Sequence, residues 1–188
     1  GRSFGMLLLV LCAACLCNAQ ERGRQIEQPA KFSYSNAPVQ VEIKLNGKDI
    51  VGKEVEADDD WISNLKLQIT NISGKNITSF WINLIIREAV PNITPATPES
   101  TGVLVPIEFQ RTQTKNTIFT AGQSMSVSPP KKMVEFWTNF VRSQGMNEID
   151  KLILDIRQVG FTDGSVWNRG RLTAKDPETG RFVRLNFD

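Results

Sequence analysis

Residues 61 to 70 read WISNLKLQIT, and this stretch does most to limit the possible folds. Trp61, Ser63, Leu65, Leu67 and Ile69 take one parity; Ile62, Asn64, Lys66, Gln68 and Thr70 take the other, which is mostly polar. Apolar residues repeating every second position describe a strand with one face buried and one in water. Such a strand needs a second layer to cover it. The pattern recurs upstream: Val39, Val41, Ile43 and Leu45 alternate with Gln40, Glu42 and Lys44, and Asn46-Gly47 follows as a hairpin turn. Downstream, Asn71-Ile72-Ser73-Gly74-Lys75-Asn76 reads as a turn by composition. Ile77 to Arg87 then places Phe80, Ile82, Leu84 and Ile86 on one side and Trp81 and Ile85 on the other, the mark of a central strand covered on both faces.

The remaining segments fit the same architecture. Glu54 to Asp60 is acidic and reads as a loop, as does the proline-containing run Pro91 to Gly102. Val103 to Phe109, Thr117 to Thr120 and Ser124 to Val127 are short strand candidates. One helix is expected after Ser128, with Pro129 in its first turn and Gly145 at its end; Met133, Val134, Trp137, Phe140 and Val141 form its apolar stripe. Leu152 to Phe161 is a further strand, Asp163-Gly164 turns into Ser165 to Leu172, and Asp176 to Gly180 turns into Arg181 to Phe187. The expectation is a mainly β chain: an antiparallel, immunoglobulin-like β-sandwich of about eight strands with one amphipathic helix. A parallel sheet would need a helix between most of its strands, and the sequence offers one.

The N-terminus reads separately. Met6 to Leu16 is an apolar run too short to span a bilayer and suited to a signal-peptide core; Cys17-Asn18-Ala19 supplies small residues where a peptidase needs them. The expected organisation is a signal peptide over 1–19, a flexible polar arm over 20–35 and a β-sandwich domain over 36–188. Export to the periplasm or the exterior follows from this reading. Lipoprotein anchoring fits less well, because Cys12 stands three places before Cys15 and Leu16 precedes Cys17. After cleavage the chain is not transmembrane.

Composition excludes several chemistries. The chain has no histidine, and its three cysteines, Cys12, Cys15 and Cys17, all lie in the signal segment. Ser-His-Asp and Cys-His catalysis and His/Cys zinc sites are therefore ruled out. No cofactor is implied. A formal net charge of +2 points to no nucleic-acid partner. Ser128-Pro129-Pro130-Lys131 has the S-x-x-K spacing but lacks the companion motifs S-D-N and K-T-G. Asp58-Asp59-Asp60 is conceivable as a calcium site, yet it lacks the alternate spacing and the glycine of a calcium loop, so a solvated turn is the plainer reading. Asn71, Asn76 and Asn92 each open an N-x-S/T sequon; at Asn71 turn chemistry explains the residues better.

Two constellations remain as ligand-binding candidates. Of the four tryptophans, Trp61 and Trp137 sit on apolar faces, while Trp81 and Trp167 sit on mixed faces and are open to a sugar ring. Arg169 and Arg171 share strand parity with Trp167 and belong to a basic group with Lys175, Arg181 and Arg184 that suits an anionic polymer or lipid headgroups. Leu67 to Ile77, Ala121-Gly122-Gln123-Ser124, Phe161 to Trp167 and Asp176 to Arg181 together resemble uncharacterised exported bacterial proteins with an immunoglobulin-like sandwich, acidobacterial ones especially; the likeness is to the FxLYD type without its signature. The resemblance implies a fold from Trp61 to the C-terminus and carries no site residues. The expected function is non-enzymatic: binding, or an accessory role in the cell envelope, with an envelope protein or a glycan as partner. The alternatives are a carbohydrate-binding module using exposed tryptophans and, further off, a hydrolase working with carboxylates alone.

Overall fold

The computed structural model describes residues 22–86, 105–112, 118–143, 145–146 and 148–185. The expected signal peptide, the Pro91–Gly102 loop and the Asn92 sequon lie outside these residues. In chain order the strands are β1 (Arg22–Glu27), β2 (Val39–Leu45), β3 (Lys48–Asp49), β4 (Glu54–Ala57), β5 (Leu65–Asn71), β6 (Ile77–Ile86), β7 (Val105–Thr112) and β8 (Ser124–Val127). The helix α1 (Lys131–Ser143) follows, and then β9 (Lys151–Phe161), β10 (Val166–Asn168), β11 (Arg171–Lys175) and β12 (Phe182–Leu185). Short 3₁₀ turns occupy Ala30–Phe32 and Trp61–Asn64. The protein is mainly β, with two sheets in which antiparallel pairing prevails and one α-helix among the described residues.

The smaller sheet runs β3-β2-β5-β8. Asn46 and Gly47 both take positive φ, 51° and 82°, so the expected two-residue hairpin forms between β2 and β3. The larger sheet is organised by the eleven-residue strand β9. Along one edge β9 pairs with β6, which in turn pairs with β7. Its other edge is divided. The first residues, Lys151 to Ile153, pair with β1 in parallel, and Gln158 to Gly160 pair with β10, which leads to β11 and β12.

The two sheets share one core. Ile43, Leu45, Leu65, Leu67 and Ile69 of the smaller sheet and Ile82, Leu84, Leu154, Ile156 and Val159 of the larger are all buried in the same cluster. Each aliphatic side chain buried in this way stabilises the fold by about 1.5–3 kcal/mol relative to exposure. The helix covers part of this core with Val134 and Val141, while Met133, Trp137 and Phe140 pack against its rim. Gly145, at φ 89°, ends the helix as expected. The helix begins at Lys131, with the Pro130 carbonyl accepting from the N–H groups of Met133 and Val134, so Ser128 lies outside its first turn.

Four expectations are corrected. The arm over 20–35 is, from Arg22 onward, built into the fold: β1 lies between β4 and β9, and Arg24 and Ile26 are fully buried. A buried arginine on the inward parity hid this strand. The acidic loop over 54–60 contains β4, because backbone pairing with β1 tolerates the outward Glu54 and Glu56. The strand expected from Trp61 starts at Leu65; Trp61 and Ile62 are both buried in a 3₁₀ turn, which a strand with one face in water does not allow. Ser165 to Leu172 is two strands, since Arg169 (φ 44°) and Gly170 (φ 86°) form a tight turn. With these pieces separate, the described residues hold twelve strands, not eight.

Candidate functional site

The second half of β9 and the hairpin that follows build one end of the molecule. Asp163-Gly164 closes the turn out of β9: Asp163 Oδ1 accepts from the backbone N–H and hydroxyl of Ser165, and Oδ2 receives Lys75 Nζ at 2.7 Å. Lys75 belongs to the turn between β5 and β6, so this ion pair ties the two sheets together. Chiefly because of Lys75, with Ser165 adding to it, the Asp163 carboxyl falls from 3.8 to about 2. Lys75 Nζ also stands 5.5 Å from the centre of the Phe161 ring.

The β5–β6 turn is held from within. Asn71 is fully buried; its Nδ2 donates to the carbonyls of Lys75 and Phe119, and its Oδ1 accepts from the N–H and hydroxyl of Ser73. The sequon at Asn71 is therefore turn chemistry, and this side chain has no room for a glycan. Opposite this turn, Ile72 N–H and Ser73 N–H both donate to the Pro38 carbonyl.

Trp167 is fully buried beneath this end. Tyr34 meets it edge-on at 5.4 Å between ring centres, and Trp167 Nε1 donates to Asn36 Oδ1 at 3.4 Å. Asn36 in turn donates to the Gly170 carbonyl at 3.0 Å. Gly170 serves twice here, through its positive φ and because a Cβ would stand 3.1 Å from the Tyr34 ring.

Between these pieces lies a groove of about 820 Å³. Ser35 to Pro38 and Ile72 to Lys75 form its walls; Phe161, Leu172 and Leu185 form an apolar floor, with Trp167 sealed behind them. Ile72 is exposed on one rim. On β12, Leu185 and Val183 point the same way as Leu172, yet Leu185 is only half-buried and Val183 is 41% exposed. Among the described residues β12 is an edge of the larger sheet. The core-facing side of the last hairpin thus extends beyond the smaller sheet.

The four residues singled out from the sequence do not form one surface. Trp167 is core, which corrects its reading as an open platform: β10 turns it to the same side as Leu172 and Val159. Trp81 is half-buried on the opposite face of the sheet, with the Arg157 guanidinium 3.8 Å from its ring centre. Arg169 is drawn into an ion pair with the fully buried Asp155 at 2.7 Å, and this pairing raises the arginine's already high pKa further. Arg171 is exposed on the outer face of β11. The shared parity with Trp167 was undone by the turn at Arg169-Gly170. The signal was present in Asn168-Arg169-Gly170, a glycine-bearing break between two short apolar runs.

Asp155 has Oδ2 engaged by Arg169 and, as its cross-strand neighbour, the amide of Asn83. Its Oδ1, Asn83 Oδ1 and Trp81 Nε1 are buried without hydrogen-bond partners among the described residues. Asp59 is committed to Arg24, and no group of three potential metal-ligating side chains gathers among the described residues, Asp58 to Asp60 included. No helix of the described residues is long and apolar enough to cross a membrane. Comparison with family models, with curated proteins and with solved structures finds no match for this chain.

Proposed function

We propose that this protein is an exported, non-enzymatic binding module with an immunoglobulin-like sandwich fold, and that its groove takes an extended polypeptide segment of an envelope protein. The observation that carries this reading is the overhang of β12. Val183 and Leu185 continue the apolar floor formed by Phe161 and Leu172, while the strand's own edge is unpaired among the described residues. An added strand gains main-chain hydrogen bonds from such an edge and specificity from alternate side chains set into apolar depressions. The walls are held in place before a ligand arrives, because Asn71, Asn36 and the Lys75–Asp163 pair fix both turns. Preorganised walls lower the ordering cost of association.

The reading of export rests on the Met6 to Leu16 run and the small residues after it. The absence of histidine, and of cysteine after Cys17, leaves imidazole and thiol chemistry out of this reading. The test is selection of displayed random peptides on immobilised protein, beside a glycan array. The expected result is enrichment of extended sequences with apolar residues at alternate positions. Leu185→Asp is expected to lower peptide affinity at least about tenfold, since it places a charge on the apolar floor. Failure to enrich peptides, with glycans bound in their place, would move the assignment to a carbohydrate-binding module.

A further inference from the structure

The opposite face of the same hairpin has a different chemistry. The register of β11 against β12 puts Lys175 across from Phe182 and Thr173 across from Arg184, and Arg171 shares their side of the sheet. This side faces away from Leu172 and Leu185. Arg171, Lys175 and Arg184 are exposed, and none of the three makes an ion pair among the described residues. Among the described residues the acids nearest in sequence are Asp176 and Glu178, in the turn between the two strands. Asp176 accepts the N–H groups of Glu178 and Thr179, so it is turned back onto its own loop. Phe182 stands among the cations with 64% of its surface in water, the most exposed of the large apolar side chains described.

From this arrangement we infer that the outer face of β11 and β12 docks peripherally on a bilayer containing anionic phospholipid. Three cations alone would suit any polyanion. The aromatic ring at their centre favours the bilayer, whose interface receives an apolar side chain at the headgroup boundary while phosphates meet the surrounding charges. A soluble polyanion offers Phe182 no apolar environment to enter. The groove opens on the reverse side of these strands, so a membrane-docked molecule would keep it free for a polypeptide partner.

The experiment is co-sedimentation of the chain from Gln20 to Asp188, which contains every described element, with phosphatidylcholine vesicles made with and without phosphatidylglycerol. The expected result is binding only to the anionic vesicles, with release as added salt shortens the Debye length from about 10 Å at 0.1 M to about 3 Å at 1 M. Neutralising one cation, as in Arg171→Gln, Lys175→Gln or Arg184→Gln, should lower partitioning about fivefold, and the triple variant should lose it. Phe182→Ser should weaken binding severalfold while leaving its salt dependence in place. Leu185→Asn, which alters the groove floor without changing the charge, should bind vesicles like the parent, which separates this surface from the groove. Equal sedimentation of the triple variant and the parent would overturn the proposal. So would absence of vesicle binding together with retention on a soluble polyanion such as polyphosphate, with Phe182→Ser and the parent indistinguishable. Circular dichroism and a urea midpoint for each variant verify that these exposed substitutions leave the fold intact.

Discussion

The two ends of β9 each bury a tryptophan completely, and they close in opposite ways. At the start of the strand, Trp61 Nε1 donates to the Ile149 carbonyl at 2.8 Å, and the fully buried Arg24 lies beside it. The Arg24 guanidinium pairs with Asp59 and Asp150 and also donates to the Ile149 carbonyl. Arg22 adds a pair with Glu148. What remains open there is a void of about 10 Å³, room for at most one water. At the far end Trp167 is sealed by Tyr34 and Asn36, but the surface above it stays open as the groove. One end uses charge to lock a terminal strand in register. The other keeps apolar side chains in water where neutral hydrogen bonds and one half-exposed ion pair hold the walls. A polar lock with several partners specifies one arrangement, whereas an uncovered apolar floor has no partner within the described residues.

The largest expected effect tests whether both tryptophans are core. Trp61→Ala and Trp167→Ala should each destabilise the fold by about 3–5 kcal/mol, read as a shift in urea midpoint. If Trp167→Ala costs under about 1 kcal/mol while Trp61→Ala costs the full amount, the two ends are not equivalent in their cores and the groove floor is loosely packed.

A middle-sized effect sharpens the contrast between lock and opening. Arg24→Met should cost about 2–3 kcal/mol, less than a fully enclosed pair, because Asp59 and Asp150 are about half exposed and regain water. Leu185→Asp should change global stability by less than about 1 kcal/mol, since its side chain is only half-buried. A reversed order in thermal unfolding would break the comparison.

The smallest effect is electrostatic. The folded Asp163 carboxyl lies below its unfolded value, so its contribution is fully present above pH about 4 and is lost as pH falls through about 2. With roughly half of each partner's side chain in solvent, the contribution is under about 1 kcal/mol. Asp163→Asn should flatten this acid limb in a plot of Tm against pH. An unchanged slope would show that Lys75 does not tie the sheets in solution.

Much of the fold was legible in the chain. The alternation in Val39–Leu45 and Leu65–Asn71, the two-sided burial of β6, the Asn46-Gly47 turn and the helix stripe all appear where periodicity places them, because each element is decided by neighbours a few residues away. The pieces that were missed share a physical cause. In β1 a buried guanidinium occupies an inward position that reads as polar. In β4 two glutamates flank Val55 and mask a short paired segment. Trp167 was read as exposed because its cover, Tyr34 and Asn36, is supplied by a segment 131 residues earlier in the case of the hydrogen bond.

The candidate groove was not legible at all. Its walls come from residues 35–38 and 72–75 and its floor from residues 161–185, and no local pattern states that these will meet.

By itself the sequence determined the class of structure and the chemistry available to it. Alternating side chains require strands with a buried face, and a chain without histidine cannot run imidazole catalysis. Which strands became neighbours, which end was closed by Arg24 and which was left open, only the tertiary structure decided. Those outcomes depend on pairings between distant backbone groups and on the unequal widths of two sheets, and hydrophobic periodicity carries no information about either.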